Sequence, residues 1–353
     1  MIKTTRQLKD KIRTISASRK DESQLLFRNY IMERFLERVS VSKYNDKFIL
    51  KGGMLVASLV GLNMRATRDI DTTVRALHLT LDEAQRIIQE IAAIEIDDGV
   101  AFRITSAKEI MEEHDYNGVR LNIEATFQNA RQAMKIDIST GDVITPCAIA
   151  YSYPLMFEDR CISILSYNVE TLLAEKIETM LARSTANTRM RDFYDVHIIT
   201  QRENANINYE HLYQALMQTC KARGTEALLA TADSVWEELH KSETMEIEWE
   251  RYKENSFYVQ EVSWDDVIQS VEKTMSRVVE SPITDLLHCY SADQVAYMVV
   301  TSEQLEKLRQ LPGIPIVART RLDGDHIVQH LKSDSGTIKN TIDTLATGLK
   351  LPL

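Results

Sequence analysis

The segment at residues 48–71 constrains the fold of this chain more than any other part of the sequence. It begins with an apolar, strand-like run that stops at Gly52 and Gly53, and it continues as a short apolar segment of one or two helical turns. A polar turn then leads to Asp69 and Asp71, which are separated by an isoleucine. Because alternate side chains of a strand point to the same face, we expect both carboxylates to enter one site.

Each part of this segment has an ordinary explanation when it is taken alone. Asp-x-Asp pairs are common, and a Gly-Gly between a strand and a helix is usually just a turn. The order of the parts is more specific, because two carboxylates on one rigid strand are hard oxygen ligands for a divalent metal ion. A glycine turn with free backbone N–H groups suits the phosphates that such a metal carries. This is the arrangement expected for nucleotidyl transfer.

The segment also resembles a known family. The Gly-Gly pair, the short helix and the Arg-x-Thr-x-Asp-Ile-Asp sequence at 65–71 resemble the AbiEii/AbiGii toxin group of the DNA polymerase β-like nucleotidyltransferases. The resemblance covers roughly residues 20–275. It implies an α+β fold with an α/β-type core, in which a polymerase β-like nucleotidyltransferase sheet is flanked by helices. A mostly helical domain and a small C-terminal appendage would follow.

The resemblance implies that Asp137 is the third carboxylate of the site. Asp137 lies between two isoleucines on a predicted strand. In related transferases such a carboxylate helps to hold the metal and can take the proton from the attacking hydroxyl. The alternative is an aspartate at a strand edge that makes only a local contact.

Two helical segments would complete the site by the same resemblance. Lys176 falls on the buried-facing side of its helix, where it would either direct its ammonium outward or neutralise a triphosphate. The Glu-Lys pair at this point recurs in the group, which favours the second role. Asp192 and Asp195 lie in an Arg-Asp-x-x-Asp sequence, the other hallmark of the group, and would contact the nucleotide or complete the site. The alternative is a helix stabilised by its own ion pairs, such as Arg191 with Asp195.

The resemblance and the charges around the glycines complete the predicted site. Lys51, Arg65 and Arg68 would help Lys176 to neutralise the triphosphate, and the glycines would let the backbone approach the phosphates closely. The predicted catalytic residues are Asp69, Asp71, Asp137 and Lys176. The predicted ligands of Mg²⁺ or Mn²⁺ are Asp69, Asp71 and Asp137. The predicted binding residues for an NTP substrate are Gly52, Gly53, Lys51, Arg65, Arg68, Asp192 and Asp195.

Hydrophobic periodicity predicts three amphipathic helices. They run from Leu25 to Val39, from Leu81 to Ile94 and from Val169 to Leu181, and Thr80 and Asn168 are the expected N-caps of the last two. The polar side of the first helix alternates arginine and glutamate, and we interpret it as a solvated surface that pairs with itself. That side contains Arg28, Glu33, Arg34, Glu37 and Arg38.

Three domains are expected from the alternation of strands and helices. Residues 1–165 would form the nucleotidyltransferase core with its N-terminal helix, and residues 166–280 a helical domain that completes the nucleotide cleft. Residues 281–353 would be an extension of unknown role. The predicted strands of the core after its second helix are 100–105, 119–127 and 134–139.

The charge of the chain limits where a nucleic acid could bind. The net charge is −10, which argues against a protein coated in basic surface. Residues 1–200 carry 27 basic and 28 acidic side chains, so the predicted catalytic half is close to neutral. A nucleic-acid partner would therefore need a local basic patch, which we expect in the N-terminal half.

Cysteine content and hydropathy predict a cytoplasmic protein that has no membrane partner, and the resemblance implies that the cell is bacterial. The four cysteines are scattered without Cys-x-x-Cys spacing, which argues against a disulfide framework or a structural zinc site and fits a reducing compartment. No stretch approaches the roughly 20 apolar residues that are needed to span a bilayer.

The resemblance implies the toxin half of a toxin–antitoxin or phage-defence pair of the abortive-infection type. Such an enzyme would transfer a nucleotide from an NTP to an acceptor hydroxyl and release pyrophosphate. The tRNA 3′ end is the first-choice acceptor, and a cognate antitoxin protein is the expected partner. Two alternatives stay open: a small-molecule or protein acceptor, and a catalytically silent binding module of the same fold. The intact carboxylates and Lys176 argue against the silent module.

Overall fold

The structure of the chain is a computed structural model that divides into two compact units, Met1–Thr274 and Met275–Leu353. Arg68, one of the predicted nucleotide-binding residues, lies outside the described residues. The domain boundary predicted near residue 165 falls inside the first unit and stays a prediction. The described residues are 2–16, 20–62, 64–65, 67, 69–75, 79–111, 117–203, 206–280, 284–290, 295–301, 316–322 and 326–332.

Strands of the first unit form one seven-stranded mixed sheet. The strands are β1 (Phe48–Lys51), β2 (Ile70–Val74), β3 (Val100–Met111), β4 (Asn117–Phe127), β5 (Ala130–Thr140), β6 (Ile149–Pro154) and β7 (Cys161–Ser166). Their order in the sheet is β3-β4-β5-β2-β1-β7-β6. β2 runs parallel to β5 and β1 runs parallel to β7, whereas the other neighbours are antiparallel. The predicted sheet of mixed strands and flanking helices is confirmed.

Helices precede the sheet, connect its strands and make up most of the first unit after residue 168. Among the described residues, none of them combines the length and the apolar character that crossing a membrane requires. The helices are α1 (Thr5–Ser16), α2 (Lys20–Val41), α3 (Gly52–Val60), α4 (Leu81–Ala92), α5 (Val169–Arg183), α6 (Met190–Glu203), α7 (Tyr209–Arg223), α8 (Ala232–Lys241), α9 (Glu243–Glu254) and α10 (Trp264–Glu280).

The sheet formed by β3, β4 and β5 has one apolar and one polar face. Leu121 and Ile123 of β4 are buried, as are Ile136 and Ile138 of β5, and this face packs on α2 and α4. The residues between them point to the opposite face, because side chains alternate along a strand. Most of those residues are exposed or half-buried.

Side-chain caps set the starts of two predicted helices. Oγ1 of Thr80 accepts a hydrogen bond from the backbone N–H of Glu83 at 3.2 Å. Oδ1 of Asn168 accepts from the backbone N–H of Thr171 at 2.7 Å. Each cap satisfies an N–H group that has no partner inside its helix, so both predicted N-caps are confirmed.

The polar side of α2 is largely buried, and its interpretation as a solvated surface is wrong. Arg38 is buried and donates to both oxygens of Asp98, at 2.7 and 3.0 Å. Glu37 is buried and accepts two hydrogen bonds from Arg160, at 2.7 and 3.1 Å. Charges of this kind can be buried because they are paired. Their partners come from distant segments, which the pattern of one helix could not reveal.

The second unit holds a sheet of its own among its described residues. The strands are β8 (Thr284–Tyr290), β9 (Val295–Thr301), β10 (Ile316–Leu322) and β11 (His326–Lys332), in the order β10-β11-β8-β9. β11 runs parallel to β8, and the other pairs are antiparallel.

Candidate active site

Four neighbouring strands each place one charged residue in a single row across the sheet. Lys51 of β1 is the register partner of Asp71 in β2. Asp71 is in turn the partner of Asp137 in β5, and Asp137 is the partner of Arg120 in β4. Register partners on adjacent strands point to the same face. Two carboxylates therefore lie side by side with one basic residue on each outer side.

Two glycines make room for the carboxylate of Asp71. Gly52 and Gly53 are the first residues of α3, and Gly52 has a φ of 65°, in the left-handed region. A Cβ atom on Gly52 would lie 2.2 Å from Oδ2 of Asp71, so a larger residue there would displace the carboxylate. The N–H of Gly53 donates to the same oxygen at 3.4 Å. The glycines thus contact the predicted catalytic carboxylate, and their contact with phosphates stays a prediction.

Asp71 is a carboxylate with little local compensation, and Asp69 lies two residues before it in the sequence. Asp69 is half-buried immediately before β2, and Asp71 lies on the strand. Burial raises the pKa of Asp71 above its usual range, and the charges of Arg191 and Lys51 counteract part of that rise. Among the described residues, the long bond from Gly53 is the one hydrogen bond that this carboxylate receives. A poorly compensated carboxylate beside a second one suits a hard divalent cation.

Asp137 lies next to Asp71, but a guanidinium group holds it. Arg120 donates from Nε to Oδ1 of Asp137 at 2.7 Å and from Nη2 to Oδ2 at 2.6 Å. In the described part of the chain, no group of three or more His, Cys, Asp or Glu side chains is arranged to hold a metal ion. Asp69 and Asp71 offer the hard oxygen donors that a divalent cation prefers, and their binding of a metal stays a prediction. Both oxygens of Asp137 are already bonded to Arg120. Its role as a ligand stays a prediction.

Lys51 directs its ammonium group to a carboxylate that the sequence patterns do not single out. Its Nζ donates to Oδ2 of Asp142 at 2.6 Å. The same oxygen accepts from the hydroxyls of Ser139 at 2.7 Å and Tyr167 at 2.8 Å. Burial acts to raise the pKa of Asp142, but the charge of Lys51 and these hydrogen bonds hold it below its usual range. Asp142 therefore fixes a buried positive charge at the end of β1.

Lys176, Asp192, Asp195 and Arg65 form a buried ion cluster. Nζ of Lys176 donates to Oδ1 of Asp192 at 2.8 Å and to Oδ2 of Asp195 at 2.7 Å. Nε of Arg65 donates to Oδ1 of Asp195 at 2.6 Å. All four residues are at most 8 % exposed. The cluster joins α5, α6 and the segment between α3 and β2.

The ion cluster determines how its members are charged. Burial acts to raise the pKa of Asp195, but the charges of Arg65 and Lys176 hold it below its usual range. The pKa of Asp192 is lowered in the same way by Lys176 and Arg189. The described residues contain no ion pair between Arg191 and Asp195, the bond weighed as an alternative, because Asp195 is bound by other partners. A contact of Lys176 or Arg65 with a triphosphate would require these pairs to open, and it stays a prediction.

Two arginines of the site are not among the residues predicted from the sequence. Arg120 is 17 positions from Asp137, and the only sequence signal for it is the alternation of polar residues along β4. Arg191 is exposed near the start of α6, and its charge acts on Asp71. Within the described part of the chain, the side chain of Arg191 has no hydrogen-bonded partner. The signal for Arg191 is its place in the Arg-Asp-x-x-Asp sequence.

Three solved structures are similar to this chain at a low level. A candidate nucleotidyltransferase from Helicobacter pylori is 13% identical over 72% of this chain and 94% of that chain, with a TM-score of 0.44. JHP933 from Helicobacter pylori is 14% identical over 72% and 91%, with a TM-score of 0.42. An antigenic nucleotidyltransferase-like protein from Paracoccidioides brasiliensis is 12% identical over 66% and 94%, with a TM-score of 0.32. These scores are too low to support an inference.

A family model gives a clear match, whereas a comparison with curated proteins finds no significant one. The model is described as "Nucleotidyl transferase AbiEii toxin, Type IV TA system" and matches residues 34–270. The match spans more than half of the chain, and it contains the charged row across the sheet and the buried ion cluster. The chain therefore belongs to the AbiEii family of nucleotidyl transferase toxins of type IV toxin–antitoxin systems.

Proposed function

We propose that this protein transfers a nucleotide from an NTP to the 3′-terminal hydroxyl of an RNA, with tRNA as the first-choice acceptor, in a reaction that depends on Mg²⁺ or Mn²⁺. The observation that carries the proposal is the pairing of Asp71 with Asp137 across β2 and β5, beside the Gly52 turn. Family membership supports the same chemistry. Gly52 leaves space for the Asp71 carboxylate that any larger residue would fill, which is consistent with a functional role for this carboxylate.

The residues of the site divide the reaction between them. Asp69 and Asp71 would hold the divalent cation, which when bound would stabilise the negative charge on the attacking and leaving oxygens. The acceptor oxygen forms a bond to the α-phosphorus as the bond from that phosphorus to the bridging oxygen breaks, and pyrophosphate leaves. Asp137 would take the proton of the hydroxyl once Arg120 releases it.

Four residues could supply positive charge to the triphosphate. Arg191 is exposed and acts on Asp71, so it is suited to the phosphates without the loss of another bond. Lys51 carries a buried charge beside Asp71 and would act at short range through a medium of low dielectric constant. Lys176 would contribute only after its bonds to Asp192 and Asp195 open. Arg120 becomes a further phosphate ligand when it leaves Asp137.

The cellular setting follows from the family. The chain would be the toxin of a bacterial cytoplasmic toxin–antitoxin pair with a role in phage defence, and modification of tRNA ends would inhibit translation and growth. A cognate antitoxin protein would neutralise it.

The proposal is tested by incubating the full chain with Mg²⁺, total bacterial tRNA and each labelled NTP in turn. The variant Asp69→Asn/Asp71→Asn removes the metal-binding charges, and Asp10→Asn/Asp233→Asn removes two exposed carboxylates elsewhere as a control. We expect label on tRNA with the wild type and the control, and a loss of about 10³-fold or more with the site variant. Label on protein or on a small molecule would overturn the RNA acceptor. Undiminished transfer by the site variant would overturn the proposed site.

A further inference from the structure

The polar face of the sheet beside the carboxylates collects the basic residues of a long stretch of sequence. Residues 101–150 contain five basic side chains, and all five lie on this face of β3, β4 and β5. The strand register places these residues on the same face as Asp137. For example, Lys108 is the register partner of Arg120, and Arg120 is the register partner of Asp137. The five are Arg103, Lys108, Arg120, Arg131 and Lys135.

Three of these basic residues are available to a partner. Lys108, Arg131 and Lys135 are exposed, and among the described residues their side chains form no hydrogen bond or ion pair, although the charge of Arg131 acts on Glu124. Arg120 is bound to Asp137, and Arg103 is bound to Glu124 at 2.9 Å. These three exposed cations are not tied up in hydrogen bonds or ion pairs with the described residues, so we call them the free cations.

Two of the free cations follow β5 away from the carboxylates, and the third lies across the sheet from Asp137. Lys135 and Arg131 are two and six residues before Asp137 on β5, which corresponds to about 7 and 20 Å along the strand. Lys108 lies on β3, two strands from Asp137 in the same row. The side chains between them on this face are small or polar, and they include Asn122, Ala133 and Glu124, the last paired with Arg103. A chain of phosphates that reaches the carboxylates could therefore lie along β5 and meet one cation after another.

We infer that this face of β3, β4 and β5 binds the 3′-terminal strand of the acceptor RNA and leads its hydroxyl to Asp71 and Asp137. The inference rests on the proposed function, since it names the surface that would hold the acceptor of that reaction. Charge complementarity is the reason for an RNA occupant: phosphate contacts by Lys and Arg supply most of the affinity that does not depend on sequence. It also offers a local basic surface within residues 1–200, which are close to neutral as a whole, because the five basic residues of 101–150 lie on one face.

The surface is tested by reversing the free charges. The variant Lys108→Glu/Arg131→Glu/Lys135→Glu changes three exposed residues outside the carboxylate site. Lys9→Glu/Arg202→Glu/Lys221→Glu is the matched control, since it changes the net charge by the same amount at exposed positions on α1, α6 and α7. Binding of fluorescent tRNA is measured by anisotropy without NTP at several salt concentrations, and label transfer is measured separately.

We expect the face variant to bind tRNA at least about tenfold more weakly than the control, and the slope of log K against log salt to fall by about 2 to 3. The apparent KM for tRNA should rise while the affinity for the NTP stays unchanged. If the triple Glu variant does not fold, Lys108→Gln/Arg131→Gln/Lys135→Gln gives the same comparison with smaller effects.

The outcomes separate the surface from the proposed function. If the wild type binds tRNA and transfers label to it, but the face variant and the control lose the same amount of tRNA affinity, the proposed RNA-binding surface is wrong. The proposed function is then unaffected. Wild-type protein that neither binds tRNA nor transfers label to it would overturn both. Loss confined to the face variant supports both.

Discussion

Arg120 reaches across from β4 to β5 and bonds both oxygens of Asp137, with distances of 2.7 and 2.6 Å. A forked pair of this kind is among the stronger hydrogen-bonded arrangements in proteins, because both groups are charged and both bonds are short. It occupies the carboxylate that the proposed reaction needs as a base. Arg120 therefore competes with any cation that approaches Asp137.

Removal of this competitor should tighten metal binding in the absence of nucleotide. Hydrogen bonds to charged groups contribute about 1.5–3 kcal/mol, so we expect Arg120→Gln to lower the dissociation constant for Mn²⁺ by about tenfold. Electron paramagnetic resonance of free Mn²⁺ measures it without catalysis. Arg103→Gln is the control, because Arg103 pairs with Glu124 on the same sheet at 2.9 Å. Equal Mn²⁺ affinities in wild type and Arg120→Gln would contradict the role of Asp137 as a potential ligand.

Substitution of Gly52 should remove activity through Asp71. An alanine there meets Oδ2 of Asp71 at 2.2 Å and also adopts a φ of 65°. Gly99→Ala is the matched control, since Gly99 has a φ of 69° and its nearest neighbour, a ring carbon of Phe127, is 3.5 Å away. Both variants should lose about 1–2 kcal/mol of stability from the backbone conformation, but only Gly52→Ala should lose transfer. Thermal unfolding and label transfer, measured on both variants, check this difference. Similar transfer activities of Gly52→Ala and Gly99→Ala would show that activity survives a displacement of Asp71.

The main effect of replacing Lys176 should be a loss of stability and not a loss of nucleotide binding. Lys176→Met leaves Asp192 and Asp195 short of a buried partner, so we expect a loss of about 3–5 kcal/mol in the free energy of unfolding. Lys221→Met, at an exposed position, should change it by less than about 0.5 kcal/mol. Urea denaturation gives both values. A Lys176→Met protein as stable as the wild type, with a raised KM for the NTP, would instead place this lysine on the triphosphate.

Glu33 should make stability fall as the pH rises. Burial raises the pKa of its carboxyl to about 8 in the folded protein, against 4.5 as its ordinary value. The folded state then holds a proton that the unfolded state has released, so stability is lost as the pH rises from about 4.5 to about 8, at up to about 1.4 kcal/mol per pH unit. Glu33→Gln should become more stable relative to the wild type across this window, whereas Glu254→Gln, at an exposed site, should not. A difference in unfolding free energy between wild type and Glu33→Gln that stays constant with pH would refute the raised pKa of Glu33.

The sequence patterns predict the parts of the fold that depend on nearby residues. Thr80 and Asn168 act as caps through hydrogen bonds that span three residues, and both are recognisable from local sequence. The strand and glycine turn before Asp71 are recognisable for the same reason, since φ and side-chain alternation are local properties.

Contacts between distant segments decide what the patterns could not predict. Arg38 is exposed on a helical wheel, yet it is buried because Asp98 is 60 positions away along the chain and close in space. Arg65 is predicted to face a phosphate, but its carboxylate partner, Asp195, is 130 positions away. Charged residues near a site have several possible partners, and only the register and packing of the whole chain decide between them.

The buried ion cluster has a consequence for how substrates gain access. Asp195 on α6 ties the segment before β2 to α5 through Arg65 and Lys176. A hinge opening between these elements would have to pull opposite charges apart where water cannot replace them. We therefore expect α5, α6 and the segment before β2 to keep their relative positions during turnover. Access of substrate to the carboxylates would then be controlled by rotamer changes of Arg120 and Arg191, which are faster than domain motions.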